Sequence, residues 1–380
     1  MMSAPRPPLR GRRPPRGPRK LAEPHFLGSG DSGCPVLALN VGSSSLKFGF
    51  FIVGASGTRV LDSGTEDTVS EPQETLAHIV ERLEAQGLPP PAAVGHRIVH
   101  GGPQCRQHTL IDAAVMQQLQ AAAAFAPLHV PPALALVRAA QARFPGIAQV
   151  ACLDTAFHSG MPAVARTLPI PRELRALGIE RYGFHGLSCE SIVRQLGLDV
   201  PPRLVITHLG HGASVTAVAH GASVDTSMGL TPTGGVIMST RCGDIDPGVL
   251  AYVVREHGYD AARLEAMIDQ HSGMLGISGL SGDLRALNTA AASTSDSADD
   301  ARLAITMFCA SVRKQIAAMA AVLGGVDLLV FTGGIGENDA SARALICKGL
   351  EALGIHQTSV RVMSTKEEEQ IAWQTSRFLS

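Results

Sequence analysis

Four charged or protic side chains stand beside glycines, prolines or the ends of apolar runs: Arg97 in GHRIVHGG, Asp154 in CLDTAFH, His185 in YGFHG and Arg241 in STRCGDIDPG. Either arginine alone reads first as a surface or salt-bridged residue. Together with a carboxylate and a histidine they suit an anionic substrate, because a guanidinium fork binds carboxylate or phosphate oxygens in pairs. The chemistry to which such a set points is phosphoryl transfer, which needs charge neutralisation and in-line positioning more than covalent help.

Elements able to hold a phosphate recur along the chain. In Val36–Phe51, an apolar run stops at Asn40, gives way to Gly42, Ser43, Ser44 and Ser45, and resumes at Leu46 with one cation, Lys47. This is a strand, a tight turn and a strand, and the turn residues are small and rich in donors. An ordinary hairpin remains an equal reading of this segment taken alone. Three more apolar strands run into glycine-rich turns: Leu204–Leu209 into Gly210-His211-Gly212-Ala213-Ser214, Val326–Thr332 into Gly333-Gly334-Ile335-Gly336-Glu337-Asn338, and Val94–Val99 into His100-Gly101-Gly102. Repeated strand-to-glycine junctions suggest a nucleotide cleft between two related halves. No GxxxxGK[ST] occurs, so a P-loop is not supported.

Composition bounds the class. A chain of 380 residues, 45% hydrophobic with 40 glycines, is long enough for two α/β domains. Only 4% is aromatic, which argues against stacking platforms for single-stranded nucleic acid. The first 20 residues carry +7 from six arginines and Lys20, so the rest of the chain carries −8 against a net −1. An acidic body argues against a nucleic-acid surface. The proline- and arginine-rich residues 1–33 read as a disordered tail or a start placed too far upstream, with an arm for anionic surfaces as the alternative. They lack the apolar core of a secretory signal. No uninterrupted apolar stretch reaches the ~18–20 residues that span a bilayer. Seven scattered cysteines without a CxxC fit reduced thiols in a cytoplasmic protein, not a disulfide frame or zinc site.

The hairpin at 36–53 opens a first domain, followed by a helix near 71–87, the strand with Arg97, helices near 111–124 and 131–144, and the strand Ala148–Leu153 ending at Asp154. Met161-Pro162 and Pro169-Ile170-Pro171 mark a crossing into a second domain, whose sheet starts at Leu204–Leu209 and Val215–Ala219. A polar loop with a cap over 289–300 precedes a helix near 300–324. Leu303, Met307, Val312, Ile316, Met319 and Leu323 form its core face. The end, Glu367–Leu379, reads as a helix returning to the first domain.

These residues resemble the acetokinase family, within the acetate and sugar kinase, heat-shock chaperone and actin superfamily. The resemblance spans essentially 36–380. It rests on LNVGSSSLKF (39–48), GHRIVHGG (95–102), APLHVPPAL (126–134), LDTAFHSGMP (153–162), RYGFHGLS (181–188), THLGHGAS (207–214), TRCGDIDPG (240–248) and FTGGIGEN (331–338) taken together.

It implies two ribonuclease-H-like α/β domains around a nucleotide cleft, 34–157 with a returning helix at 367–380, and 158–366. It implies reversible transfer of the ATP γ-phosphoryl group to acetate, giving acetyl phosphate and ADP in a homodimer, with Mg2+ or substituting Mn2+ and with no nucleic-acid or membrane partner. Asn40 and Glu367 match the metal-associated positions, and Lys47 a nucleotide-phosphate contact. Arg97 matches the substrate arginine and Asp154 the catalytic aspartate, while His185 and Arg241 match groups that stabilise the transition state. His208, Leu209, Gly210, His211 and Gly212 match a second phosphate loop. Asp283, Leu284 and Arg285, with Gly334, Ile335, Gly336, Glu337 and Asn338, match adenosine-binding segments. Val99, Leu128, Phe184 and Pro232 match a pocket for the acyl methyl, and His129 a cleft histidine. His129 and His208 read equally as structural histidines.

The chain departs from the family's pattern at His211 (usually asparagine), at Leu187 and Cys189, and at Thr233-Gly234-Gly235, where a glutamate is lost. It is also shorter between the hairpin and Arg97. Propionate or another short carboxylate is the alternative substrate. A non-catalytic, nucleotide-switched actin-like protein is the alternative of another class.

Overall fold

The computed structural model describes residues 33–42, 45–67 and 71–379. Apart from Gly33, the tail expected over 1–33 lies outside these residues, as do Ser43 and Ser44 of the first turn.

β1 (Cys34–Val41) and β2 (Ser45–Gly54) form the expected antiparallel hairpin, and β3 (Gly57–Asp67) pairs with β2. β3 was not foreseen: GTRVLDSGTED lacks the alternating apolar pattern, since this edge strand buries little. α1 (Pro72–Ala85) starts on a proline in its first turn, where no N–H is needed. β4 (Ala93–Ile98), β5 (Thr109–Leu110), α2 (Ala113–Ala122), α3 (Val130–Arg143) and β6 (Ala148–Leu153) follow. The sheet order is β3-β2-β1-β4-β6-β5, with β1, β4 and β6 parallel. β1 is buried on both faces. Leu37 and Leu39 pack with α1 and α3, while Val36 and Ala38 pack on the opposite face. That explains an unbroken apolar run instead of an alternating one.

Two short helices, α4 (Ala163–Arg166) and α5 (Arg172–Arg175), lead to α6 (Gly186–Leu196). The second sheet then begins with β7 (Arg203–Leu209), β8 (Ala213–Ala219) and β9 (Ala222–Thr226). Helices α7 (Pro247–His257), α8 (Ala261–Gln270), α9 (Gly273–Ser278), α10 (Leu284–Ala291) and α11 (Ala298–Leu323) precede β10 (Leu328–Thr332). α12 (Gly333–Asn338), α13 (Ala340–Cys347), β11 (Val360–Val362) and α14 (Glu367–Ser376) complete the chain. The order β9-β8-β7-β10-β11 repeats β3-β2-β1-β4-β6: three antiparallel strands, then two parallel additions. The β1–β2 and β7–β8 turns are therefore equivalent places in two related halves.

Three expectations change. Gly333–Asn338 is a short helix, not a loop, and α10 extends through Ala291 into the stretch read as a polar loop. On α11, Leu303 and Met307 are 50% and 39% exposed, whereas Ala304, Phe308, Val312, Ile316 and Met319 face the core. Spacing alone could not tell which of two apolar stripes meets the sheet. α11 is also the one described helix long and apolar enough to cross a membrane by length and composition. Its buried stripe is already occupied by the core.

α14 lies across the first sheet, with Ile371 and Ala372 fully buried against it. The crossing is closest at Gly95 of β4, where a Cβ would collide with Thr375 Oγ1 and Ile371 Cγ2.

Candidate active site

The register of the first sheet assembles one end of the site. Leu39 pairs with His96 and Arg97 with Cys152, so Asn40, Arg97 and Asp154 lie side by side where the parallel strands end. Asp154 is 1% exposed. Arg97 grips it through Nε at 2.8 Å and Nη2 at 2.6 Å, and donates from Nη1 to Asn40 Oδ1 at 3.1 Å. Asn40 Nδ2 in turn donates to Glu367 at 3.1 Å and Glu368 at 2.8 Å, at the start of α14. Burial pushes the Asp154 carboxyl up, and Arg97 offsets this only in part. Glu367 is also desolvated, but Arg97 and His208 hold it below the usual carboxylate range.

The second half supplies the other end. His185 is the N-cap of α6 in a left-handed conformation, φ 59° and ψ 26°, which a side-chain-bearing residue adopts only under constraint. The constraint is visible: Gly186 N–H donates to the Asp154 carbonyl at 2.8 Å, and His185 Nδ1 meets Ser214 Oγ at 3.0 Å. The His185 ring stacks on His208 with centroids 4.2 Å apart. His208 Nδ1 meets Ser188 Oγ, which accepts from Thr365. Burial, then His208, Arg97 and Arg241, keep His185 neutral far below its ordinary value. A Cβ on Gly212 would lie 3.2 Å from Arg241 Nη1 and 3.3 Å from His185 Nε2, so both side chains reach over bare backbone of the β7–β8 turn. His208 Nε2 points between the two glycine segments, 3.1 Å from where a Gly333 Cβ would stand. Arg241 also donates to the Pro232 carbonyl at 3.2 Å and approaches His129 Nε2 at 3.4 Å.

Beside this cluster opens a cavity of about 650 Å3. Gly210, His211, Asp283, Leu284, Arg285, Gly334, Ile335 and Asn338 line it, joined by Ser239, Thr240, Gly282 and Asp339. Its volume suits a nucleoside phosphate. Gly336 and Glu337 do not line it. Glu337 Oε1 accepts from Gly333 N–H and Thr365 N–H, both at 3.0 Å, so it fastens α12 to the start of α14. Lys47, on β2, lines a different pocket together with Thr365 and Glu368 and is not part of the cavity lining.

Val99, Phe184 and Pro232 are buried, while Leu128, in the turn before α3, is 54% exposed. Leu128 thus differs from the other three in standing open to solvent. The His100–Gly102 turn differs from the expected phosphate loop. Gly102 N–H donates to His100 Nδ1 at 2.8 Å, and the fully buried His100 ring stacks on Phe125. This turn supports Val99 and is closed upon itself.

Sequence reasoning missed Ser188, Ser214 and Thr365, which orient the two stacked histidines. The first two lie inside the quoted motifs. Among the described residues no cluster of three or more histidines, cysteines or acids could hold a metal. The amide oxygen of Asn40 and the carboxylates of Glu367 and Asp154 are hard donors. They suit a cation that keeps water and phosphate in its shell.

The family model described as "Acetokinase family" matches residues 62–379. An "Acetate kinase 2" of Neisseria meningitidis serogroup B is 43% identical over 351 residues, 84% of this chain and 87% of that protein. The crystal structure of a propionate kinase from Francisella tularensis superposes with a TM-score of 0.83 at 33% identity, covering 90% of this chain and 99% of that one. The Porphyromonas gingivalis acetate kinase structure gives 0.79 at 33% identity, over 91% and 100%.

Proposed function

The chain belongs to the acetokinase family, and we propose that it is an acetate kinase: a carboxylate oxygen attacks the γ-phosphorus of ATP, the bond to the bridging oxygen breaks, and that electron pair leaves with ADP. The observation that carries this reading is the convergence of the Arg97–Asp154–Asn40–Glu367 set with the His185–Arg241 pair over the Gly212 turn, beside the nucleotide-sized cavity. Acetate is already a competent nucleophile, so no strong base is required. Asp154 orients Arg97, which holds the acceptor carboxylate. Arg241 and the neutral His185 donate to the phosphoryl oxygens as charge redistributes. Gly210, Gly212 and Gly334 bring backbone close to phosphate.

Asn40 and Glu367 would hold Mg2+, with Mn2+ able to substitute. When bound, the ion would neutralise charge on the nucleotide phosphates. Propionate is the second reading, supported by the similar structure named a propionate kinase. One methylene in such a pocket discriminates by only about 1–3 kcal/mol. We assign the protein to the cytoplasm on its reduced cysteines, all free among the described residues. We propose a homodimer because α7 buries none of its residues and turns Val249, Tyr252 and Val254 to solvent. Light scattering on Tyr252→Glu tests that assembly. A coupled assay with acetate, propionate and butyrate tests the reaction: no ADP formed with any of them would exclude it.

A further inference from the structure

Three elements that carry site residues meet at one carboxylate outside the site. Glu190 lies on α6, which begins at His185, and its side chain is 13% exposed. It accepts from His108 Nε2 at 3.0 Å and 3.2 Å, and from Gln370 and Gln374 of α14 at 3.1 Å and 2.8 Å. His108, just before β5, turns its other nitrogen to β6, where Nδ1 accepts from Leu153 N–H at 3.0 Å. A nitrogen that accepts from an amide carries no proton, so the ring is the neutral Nε2–H tautomer and donates to Glu190. Every partner of Glu190 is thus a donor. A carboxylate can accept them all, whereas an amide would turn N–H against N–H.

We propose that Glu190 and His108 are positioning residues for the phosphoryl transfer. Their junction fixes β6 with Asp154, α6 with His185 and α14 with Glu367 relative to one another. The proposal rests on the reaction assigned above, and it separates geometry from nucleotide affinity, because none of the cavity-lining residues belongs to the junction. Misplacement of reacting groups slows turnover without weakening a binding surface elsewhere.

The test compares Glu190→Gln, His108→Ala and His108→Gln in the full chain, with kcat normalised to the folded fraction from thermal melts. Glu190→Gln and His108→Ala are expected to lower kcat by about tenfold or more, with KM for ATP within about threefold of wild type. His108→Gln presents an acceptor and a donor at about the spacing of the two ring nitrogens and should recover most of the loss. Both Glu190→Gln and His108→Ala staying within about twofold of wild-type kcat, or His108→Gln doing no better than His108→Ala, would overturn the proposal. If Glu190→Gln does not fold, the two His108 variants decide. Nitrogen-15 shifts of His108 in the wild type provide a readout independent of turnover. An unprotonated Nδ1 supports the junction, a doubly protonated ring refutes it, and failure of wild type to phosphorylate acetate counts only against the reaction.

Discussion

Replacing Arg97 by alanine removes the cation on which a buried carboxylate depends. From sequence alone, loss of Arg97 or Arg241 should remove most turnover and leave the fold intact. The structure separates the two. Arg97 holds Asp154, 1% exposed, through two donors, whereas Arg241 faces a carbonyl and the His129 ring. Breaking a buried pair by deleting one partner costs about 3–5 kcal/mol. With an unfolding entropy of about 2.1 cal/mol/K per residue over 380 residues, that is a fall of about 4–6 °C in Tm. Asp154, already pushed up by burial, should then be pushed up further, since the Arg97 charge that opposes burial is gone. Arg97→Ala/Asp154→Asn should regain most of the lost Tm while turnover stays down by about 10²–10³-fold, the loss expected of a missing charged transition-state contact. Calorimetry and a coupled ADP assay on both variants and on Arg241→Ala measure this. An Arg97→Ala melt within about 1 °C of wild type, or no recovery in the double variant, would refute the reasoning.

Val99→Ala should raise the propionate-to-acetate ratio of kcat/KM by about three- to tenfold, at about 0.8 kcal/mol per buried methylene, with KM for ATP little changed. An unmoved ratio would take Val99 out of the acyl pocket. Gly95→Ala should push α14 off β4, lowering Tm and displacing Glu367 together; a variant stable and fully active would show that the crossing yields. Burial depresses His96, His100 and His158 to about 4 each. Stability from these rings is therefore present above the unfolded value near 6.5 and is lost as pH falls toward 4, by about 3 kcal/mol per ring at the lower end. Urea midpoints that stay flat between pH 6.5 and pH 4.5 would contradict it.

The strands with buried faces on both sides, β1, β4, β6 and β7, announce themselves as apolar runs, and the residues at their ends were the legible part of the site. β3 and the two-residue β5 carried no pattern because edge strands need little apolar surface. The Gly333–Asn338 helix was hidden because glycines read as a turn, while Glu337 supplies the bonds that hold it closed. The two stripes of α11 are equally apolar in sequence, and only the sheet beneath selects between them. Ser188, Ser214 and Thr365 were invisible as site members because each acts through a histidine brought near by the fold. The pairing of Asn40 with Glu367 could be inferred by resemblance but not from spacing.

That pairing has a consequence for synthesis. Asn40 and Glu367 are separated by 327 positions, so the helix that seals one face of the first sheet is made long after the strands it covers. At about 5–20 residues per second, Val150 waits on the order of 10–45 s for Ile371, and Val36 and Ala38 wait longer, before α14 covers that side. During that interval the nascent chain offers an apolar face suited to chaperone capture. A message truncated before Glu367 would leave the first sheet without that cover, although the strands of both sheets had been made.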